Sequence, residues 1–376
     1  MSTPGWRRLR HRLGLAGPVT IHPYRSYGAP DRVFVRGRVL EAKGVRRAEL
    51  GDRWWQNLAR TYRRMESAEV GGAPVTIRFA GAETETVADD EGHFRTWLVP
   101  GDRPGRGAWH EATVQAWDPA RPDAEPVDRI APVLVPPASA RFGVVSDVDD
   151  TVIQAGVANL ARLVGDVVFG SAHTRAPFPG IAAFFRALHR GVGGTPNPLF
   201  YVTNGPWNLY DAFVHFLELH DMPAGPVELR DWGPVWDEVR RIGRREHKLE
   251  SIRRIFRTVP HLSFLLVGDS GEEDPEIYRD IVHEFPARVP AVYIRDVSRN
   301  PLRKREIEAL AEEVDAAGSA LVLAPDTIAA ARHAADHGWI EPASLGEIEA
   351  ERVSETRRPA PPGRGIVVEE GEESEI

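Results

Sequence analysis

The sequence contains no cysteine among its 376 residues. Disulfides and thiolate metal sites are thereby excluded, and any bound metal must take oxygen ligands or histidine. No apolar run reaches the ~20 residues of a bilayer span. The start, rich in arginine at Arg7, Arg8, Arg10 and Arg12, lacks the apolar block of a secretory signal. No internal repeat is found. What is present is ordinary globular usage, with 42% hydrophobic and 27% charged residues, which argues against global disorder and against a fibre. A formal net charge of -8 argues against wholesale nucleic-acid binding. The length suits two domains, and the composition is compatible with a cytoplasmic location.

Residues 1–18 form a basic arm in which Trp6, Leu9 and Leu13 recur at helical spacing among the arginines. It reads either as a frayed tail or as a peripheral contact with an anionic membrane surface. From 19 to 137 the pattern alternates apolar and polar residues over 33–40, 75–79, 94–98 and 112–117, as expected of a small, mostly-β sandwich. Residues 87–94 read as a turn feeding a hairpin strand. Trp55, Leu58, Ala59 and Tyr62 lie on one face of an inserted helix expected over 52–66. Pro136 and Pro137 make a natural linker.

Beyond the linker the grammar becomes α/β. Strands are expected at 142–146, 199–203, 227–229, 264–267, 291–294 and 320–323. Helices are expected between them at 181–189, 208–220, 248–259, 275–284, 301–317 and 326–337. The alternation predicts a Rossmann-like parallel sheet flanked by helices over 138–340. Residues 341–376 read as an extension ending in a disordered acidic tail, with Glu369, Glu370, Glu372, Glu373 and Glu375.

In an open parallel sheet, ligands bind outside the carboxyl ends of the strands. Four places stand there. Asp147-Val148-Asp149-Asp150-Thr151 crowds three carboxylates, whose repulsion a hard cation would relieve; with oxygen donors on offer, magnesium fits. Gly268-Asp269-Ser270-Gly271-Glu272-Glu273-Asp274 is a second acidic strand end. Thr203-Asn204-Gly205 offers a hydroxyl, an amide and backbone N–H groups to phosphate oxygens. Lys248, expected at a helix start, supplies an ammonium. Singly, each is as readily a helix cap, a turn residue or a solvated charge; their order along the chain is what gives them weight.

That order resembles the haloacid dehalogenase superfamily, whose signature is Asp-x-Asp-x-Thr, a Ser or Thr after the second strand, a Lys and a Gly-Asp-x-x-x-x-Asp loop. The resemblance implies Asp147 as nucleophile and Asp149 as general acid and base. It implies that Thr203 and Lys248 hold the phosphoryl group, with Thr151, Asn204 and Gly205 beside the substrate. Magnesium would be held by Asp147, Asp269 and Asp274 together with the backbone carbonyl of Asp149. A narrower likeness is carried by Ala176-Pro177-Phe178-Pro179-Gly180, Tyr201 to Trp207, His247-Lys248 and Asp274-Pro275-Glu276-Ile277-Tyr278. These segments are similar to the catalytic domain of the actin-patch-associated phosphatidate phosphatases. Bacterial relatives of that family carry a sandwich-like segment in front, opening on a phrase similar to Pro23-Tyr24-Arg25-Ser26-Tyr27-Gly28. The expected activity is hydrolysis of a phosphomonoester, phosphatidate to diacylglycerol, through a phosphoaspartate.

The room for covering elements is small, about 154–177 after the first motif and 225–246 after the second, which suits a bulky or membrane-borne phospholipid. Arg240, Arg241, Arg244 and Arg245 are candidates to meet its headgroups or are simply a solvated face. Three rivals remain at this point. The same chemistry could act on a phosphoprotein or soluble phosphometabolite, the chain could be a non-catalytic binding module, or Asp-Val-Asp-Asp could be the acid motif of a terpene cyclase. The last is disfavoured by the strand preceding the motif.

Overall fold

The computed structural model describes residue 13 and residues 16–42, 69–148, 179–194, 196–230, 237–298 and 300–357; for 237–242 and 357 it describes the backbone alone. The basic arm as a helix, the inserted helix at 52–66, the small lid at 154–177, Trp232, Trp236, the side chains of Arg240 and Arg241, and the tail beyond 357 lie outside the described residues. So do Asp149, Asp150 and Thr151.

Among the described residues, eight strands make the first sheet: β1 (Val19–Pro23), β2 (Ser26–Ala29), β3 (Arg32–Glu41), β4 (Pro74–Phe79), β5 (Ala82–Val87), β6 (His93–Leu98), β7 (Trp109–Ala116) and β8 (Val127–Leu134). The path is β1-β3-β2-β8-β7-β4-β5, with β6 paired to β3. The sequence suggested two stacked layers and a hairpin at 87–94; instead one sheet curls until β5 lies beside β6. The hairpin expectation fails because β6 finds its hydrogen bonds on β3, from Val33 opposite Leu98 to Arg38 opposite His93. The turn itself is as expected, its Asp89 carboxylate accepting from the N–H groups of Glu91 and His93 at 3.0 and 2.9 Å. Val33, Val35, Ile77, Phe94 and Val114 fill the curl, as period-2 alternation requires.

The second sheet contains β9 (Gly143–Asp147), β10 (Leu199–Pro206), β11 (Val227–Arg230), β12 (Phe264–Asp269), β13 (Ala291–Arg295) and β14 (Ala320–Ala324). All described pairings in it are parallel. Interleaved are α1 (Ile181–Arg190), a 3-10 turn (Trp207–Leu209), α2 (Tyr210–Leu219), α3 (Asp237–Thr258), α4 (Asp274–Glu284), α5 (Pro301–Ala316), α6 (Thr327–Asp336) and α7 (Ser344–Arg357). Strands buried on both faces need continuous apolar runs, and these strands send alternate residues to opposite clusters. Val144, Tyr201, Leu265 and Tyr293 meet the layer that includes α1, α2 and α6. Val145, Phe200, Leu266 and Val292 meet the α3, α4 and α5 layer.

Two boundaries differ from those the sequence suggested. Helix α3 begins at Asp237, so Lys248 lies in mid-helix rather than at a helix start. The extension after 340 opens as helix α7, whose Ile348 is buried. Its Glu355 and Glu351 accept the N–H groups of Gly180 and Ala183 at 2.7 and 2.8 Å. Orphan donors at the start of α1 are thus satisfied from a remote helix, carboxylates meeting the positive end of the dipole.

The two sheets share packing. Tyr27, Phe34 and Leu134 belong to the same buried cluster as Phe200 and Phe256. Within it, Glu228 of β11 accepts from Tyr27 at 2.8 Å, Arg36 at 2.5 Å and Arg254 at 2.8 Å. Burial opposes the charge on Glu228, but Arg254 and Arg36 outweigh it and hold its pKa down at about 2. Tyr24 stacks on Trp207 with centroids 4.5 Å apart, so the curled sheet also braces the segment after Thr203-Asn204-Gly205.

Candidate active site

The parallel sheet has the order β11-β10-β9-β12-β13-β14. Counted within this sheet, that is 3-2-1-4-5-6, the order of a doubly wound sheet whose ligand crevice opens at the carboxyl ends where the order reverses, between β9 and β12. Asp147 ends β9. Val202 pairs with Asp147, which sets Thr203 one position further on the neighbouring strand. On the other side Val267 pairs with Ser146, so the register carries Gly268 beside Asp147 and Asp269 beyond it. Parallel pairing thus brings the three motif loops to one level.

Lys248 is the meeting point. Its Nζ stands 2.9 Å from Asp147, 3.1 Å from Glu272 and 2.5 Å from Asp274, and the residue is 2% exposed. An ammonium so buried is sustained only by opposing charge. Burial works against it, yet Asp147, Asp274 and Glu272 together hold its pKa well above the ordinary lysine value. One positive charge does not satisfy three acids. Burial, then Asp274, with Glu272 adding, push the Asp147 carboxyl well above its usual range despite Lys248. Asp274, pushed chiefly by burial and also by Asp269 against the pull of Lys248, lies at about 6.

Asp147, Glu272 and Asp274 each offer an oxygen within 4.8 Å of the others. That all-oxygen, acid-rich set is what a hard divalent cation requires. Glu272 has no place in the sequence-derived set; it reaches the cluster through the turn after β12, and acids in such turns carry no distinguishing spacing. Asp269 stands outside the cluster, its Oδ1 accepting the N–H groups of Gly271 and Glu272 at 2.8 and 3.3 Å. Its own N–H donates to Asp274 at 3.1 Å. Gly268 is required here, since a Cβ would collide with the Asp274 carboxylate. Pro275 follows as an early residue of α4, where no N–H is needed.

On the β10 side, Thr203 and Asn204 are buried, and the Thr203 hydroxyl accepts the Gly205 N–H at 3.0 Å. That leaves its proton to donate outward. His247, next to Lys248, is hydrogen-bonded to the Thr203 backbone, and burial, with Arg254 and Arg230 nearby, lowers its pKa to about 4. Of the arginines suggested for headgroup contact, Arg245 is paired with Asp280 and Arg244 is exposed.

Residues 142–296 match the family model for the catalytic domain of phosphatidate phosphatase APP1. Asp147, Thr203, Lys248, Asp269, Glu272 and Asp274 all fall inside that span. The chain is 29% identical over 159 residues to phosphatidate phosphatase APP1 of Saccharomyces cerevisiae, covering 42% of this chain and 26% of that protein. It is 28% identical over 157 residues to an uncharacterised protein of Schizosaccharomyces pombe, covering 42% and 25%. The chain therefore spans about a quarter of the length of these curated relatives. Among solved structures, a carbohydrate acetylesterase from Xanthomonas citri aligns over 79% of this chain and 75% of its own at 13% identity, but with a TM-score of 0.27 that says nothing about the fold.

Proposed function

We propose that the chain is a magnesium-dependent phosphatase of the haloacid dehalogenase type that hydrolyses phosphatidate, with Asp147 as nucleophile. The observation that carries this reading is Lys248 buried among Asp147, Glu272 and Asp274 at the switch point of a parallel sheet. The match of this same span to a phosphatidate phosphatase catalytic domain supports it. Such a substrate resides at a membrane surface; among the described residues no helix is long and apolar enough to cross one.

Asp147, Glu272 and Asp274 would hold the magnesium, with Asp269 in the same loop; when bound it would supply positive charge and polarise a phosphoryl oxygen. In the first step a carboxylate oxygen of Asp147 forms a bond to phosphorus as the bond to the ester oxygen breaks. Asp149 gives its proton to the departing alkoxide. Lys248 and the Thr203 hydroxyl offer hydrogen bonds to the equatorial oxygens, where charge spreads during transfer. Water then attacks the phosphoaspartate, passing a proton to Asp149 and releasing inorganic phosphate and the Asp147 carboxylate.

Phosphate release from phosphatidate in mixed micelles and from p-nitrophenyl phosphate, with and without magnesium, tests the scheme. The wild type is expected to turn over phosphatidate only with magnesium. Asp147→Asn is expected to lose at least ~10³-fold in rate while its circular dichroism remains that of the wild type. Equal turnover by the variant would falsify the assignment.

A further inference from the structure

Asp147 has a second neighbourhood. On the face of the sheet opposite Lys248, between α1, α2 and α6, lies a cavity of about 150 Å³. Phe184, Phe213, Phe216 and Met222 are among its apolar lining, and Asp147, Asp269 and Arg295 among its polar lining. Among the described residues, its lining is dominated by apolar side chains set beside the Asp147 carboxylate. Phenylalanine walls offer nothing to the hydroxyls of a sugar or the edges of a base, whereas they suit a hydrocarbon chain.

We propose that this cavity is an acyl-chain subsite, receiving one hydrocarbon tail of a phosphorylated lipid whose phosphate lies at Asp147. The inference rests on the phosphatase reading and adds the feature that selects the substrate. The chemistry recognised is a phosphate monoester with an alkyl chain a few atoms away. A lipid drawn from a bilayer and a free alkyl phosphate share that chemistry.

Monoalkyl phosphates of rising length separate the possibilities. Ethyl, hexyl and decyl phosphate are titrated into Asp147→Asn by calorimetry, and their turnover by the wild type is measured below their aggregation concentrations. Burial of each methylene is expected to tighten binding by about threefold to fourfold until the cavity is full, so hexyl phosphate exceeds ethyl phosphate by at least ~30-fold. Ala212→Phe, which narrows the cavity from α2, is expected to reduce the hexyl-to-ethyl ratio of kcat/KM at least fivefold (about a 1 kcal/mol loss of discrimination). A ratio cancels any loss of folded protein. Chain-independent binding overturns the subsite and leaves the phosphatase reading standing. Absence of turnover for every monoester, p-nitrophenyl phosphate included, overturns the phosphatase reading; chain-dependent binding would even then support the cavity as a hydrocarbon site. Steep dependence with phosphatidate vesicles but none with free alkyl phosphates would place recognition at the bilayer and refute the subsite.

Discussion

Lys248 is outnumbered, and that arithmetic can be tested. Replacing it by Met leaves Asp147, Glu272 and Asp274 without the cation they surround. Removing one partner of a buried ion pair costs on the order of 3–5 kcal/mol, so Lys248→Met is expected to melt well below the wild type in a chelator. Millimolar magnesium is expected to raise the wild-type melting temperature, a ligand at a hundred times its Kd adding about 2.7 kcal/mol. That gain should vanish in Asp274→Asn, as differential scanning fluorimetry will show. Gly268→Ala is expected to lower kcat more than it lowers stability, because the added methyl displaces the Asp274 carboxylate; steady-state kinetics beside a melt reads the difference. At this scale the sequence singled out Asp147, Thr203, Asp269 and Asp274 because each directly follows an apolar strand or opens a helix; the structure brings these loops to one level, with Asp269 outside the acid cluster. It did not reveal Glu272, whose approach to Lys248 depends on how the Asp269 carboxylate gathers the turn.

Among elements, the helix least legible in advance is α7. Its sequence is rich in charge and has little apolar periodicity, so it reads as solvated; yet Glu347, Glu351 and Glu355 are committed to other elements, while Glu349 pairs with Arg352 within the helix. Glu347 and Glu351 pair with Arg186, and Glu351 and Glu355 cap α1. Glu351→Ala is expected to destabilise the chain by about 1 kcal/mol, the value of a lost cap, measurable by urea denaturation. The strands of the parallel sheet were legible because strands buried on both faces are apolar throughout. Helix α3 was not, since the run from Asp237 to His247 is charged and its helicity continues from the half of α3 anchored by Leu249, Ile252 and Phe256. Curling of the first sheet was also hidden, because alternation shows which residues face inward and not which strands become neighbours.

Over the whole molecule, the Glu228 network joins the two sheets and sets an acid limit. The carboxyl is depressed from 4.5 to about 2, so its stabilisation is complete above pH 4.5 and is lost as pH falls toward 2. The displacement corresponds to about 3 kcal/mol. His247, lowered from 6.5 to about 4, acts with the same sign between those values, since the unfolded chain binds its proton first. The buried Asp147 and Asp274 carboxyls, both raised, act with the opposite sign and offset His247, so the clear signal is a difference: in chemical denaturation the gap between the wild type and Glu228→Gln is expected to shrink as pH falls from 4.5 toward 2. The same variant should lower stability at neutral pH by on the order of 3 kcal/mol, leaving Arg36 and Arg254 facing an uncharged partner.

The register that sets three loops level across β9 has a consequence for synthesis. Asp147 leaves the ribosome 127 residues before Asp274 (274 minus 147), and Lys248 emerges between them. At about 5–20 residues per second, the proposed nucleophile waits on the order of 6–25 s for the groups that would arm it. Under the proposed mechanism the nascent protein is therefore born inert, and its site closes only when the fourth strand of its sheet slides in beside the first.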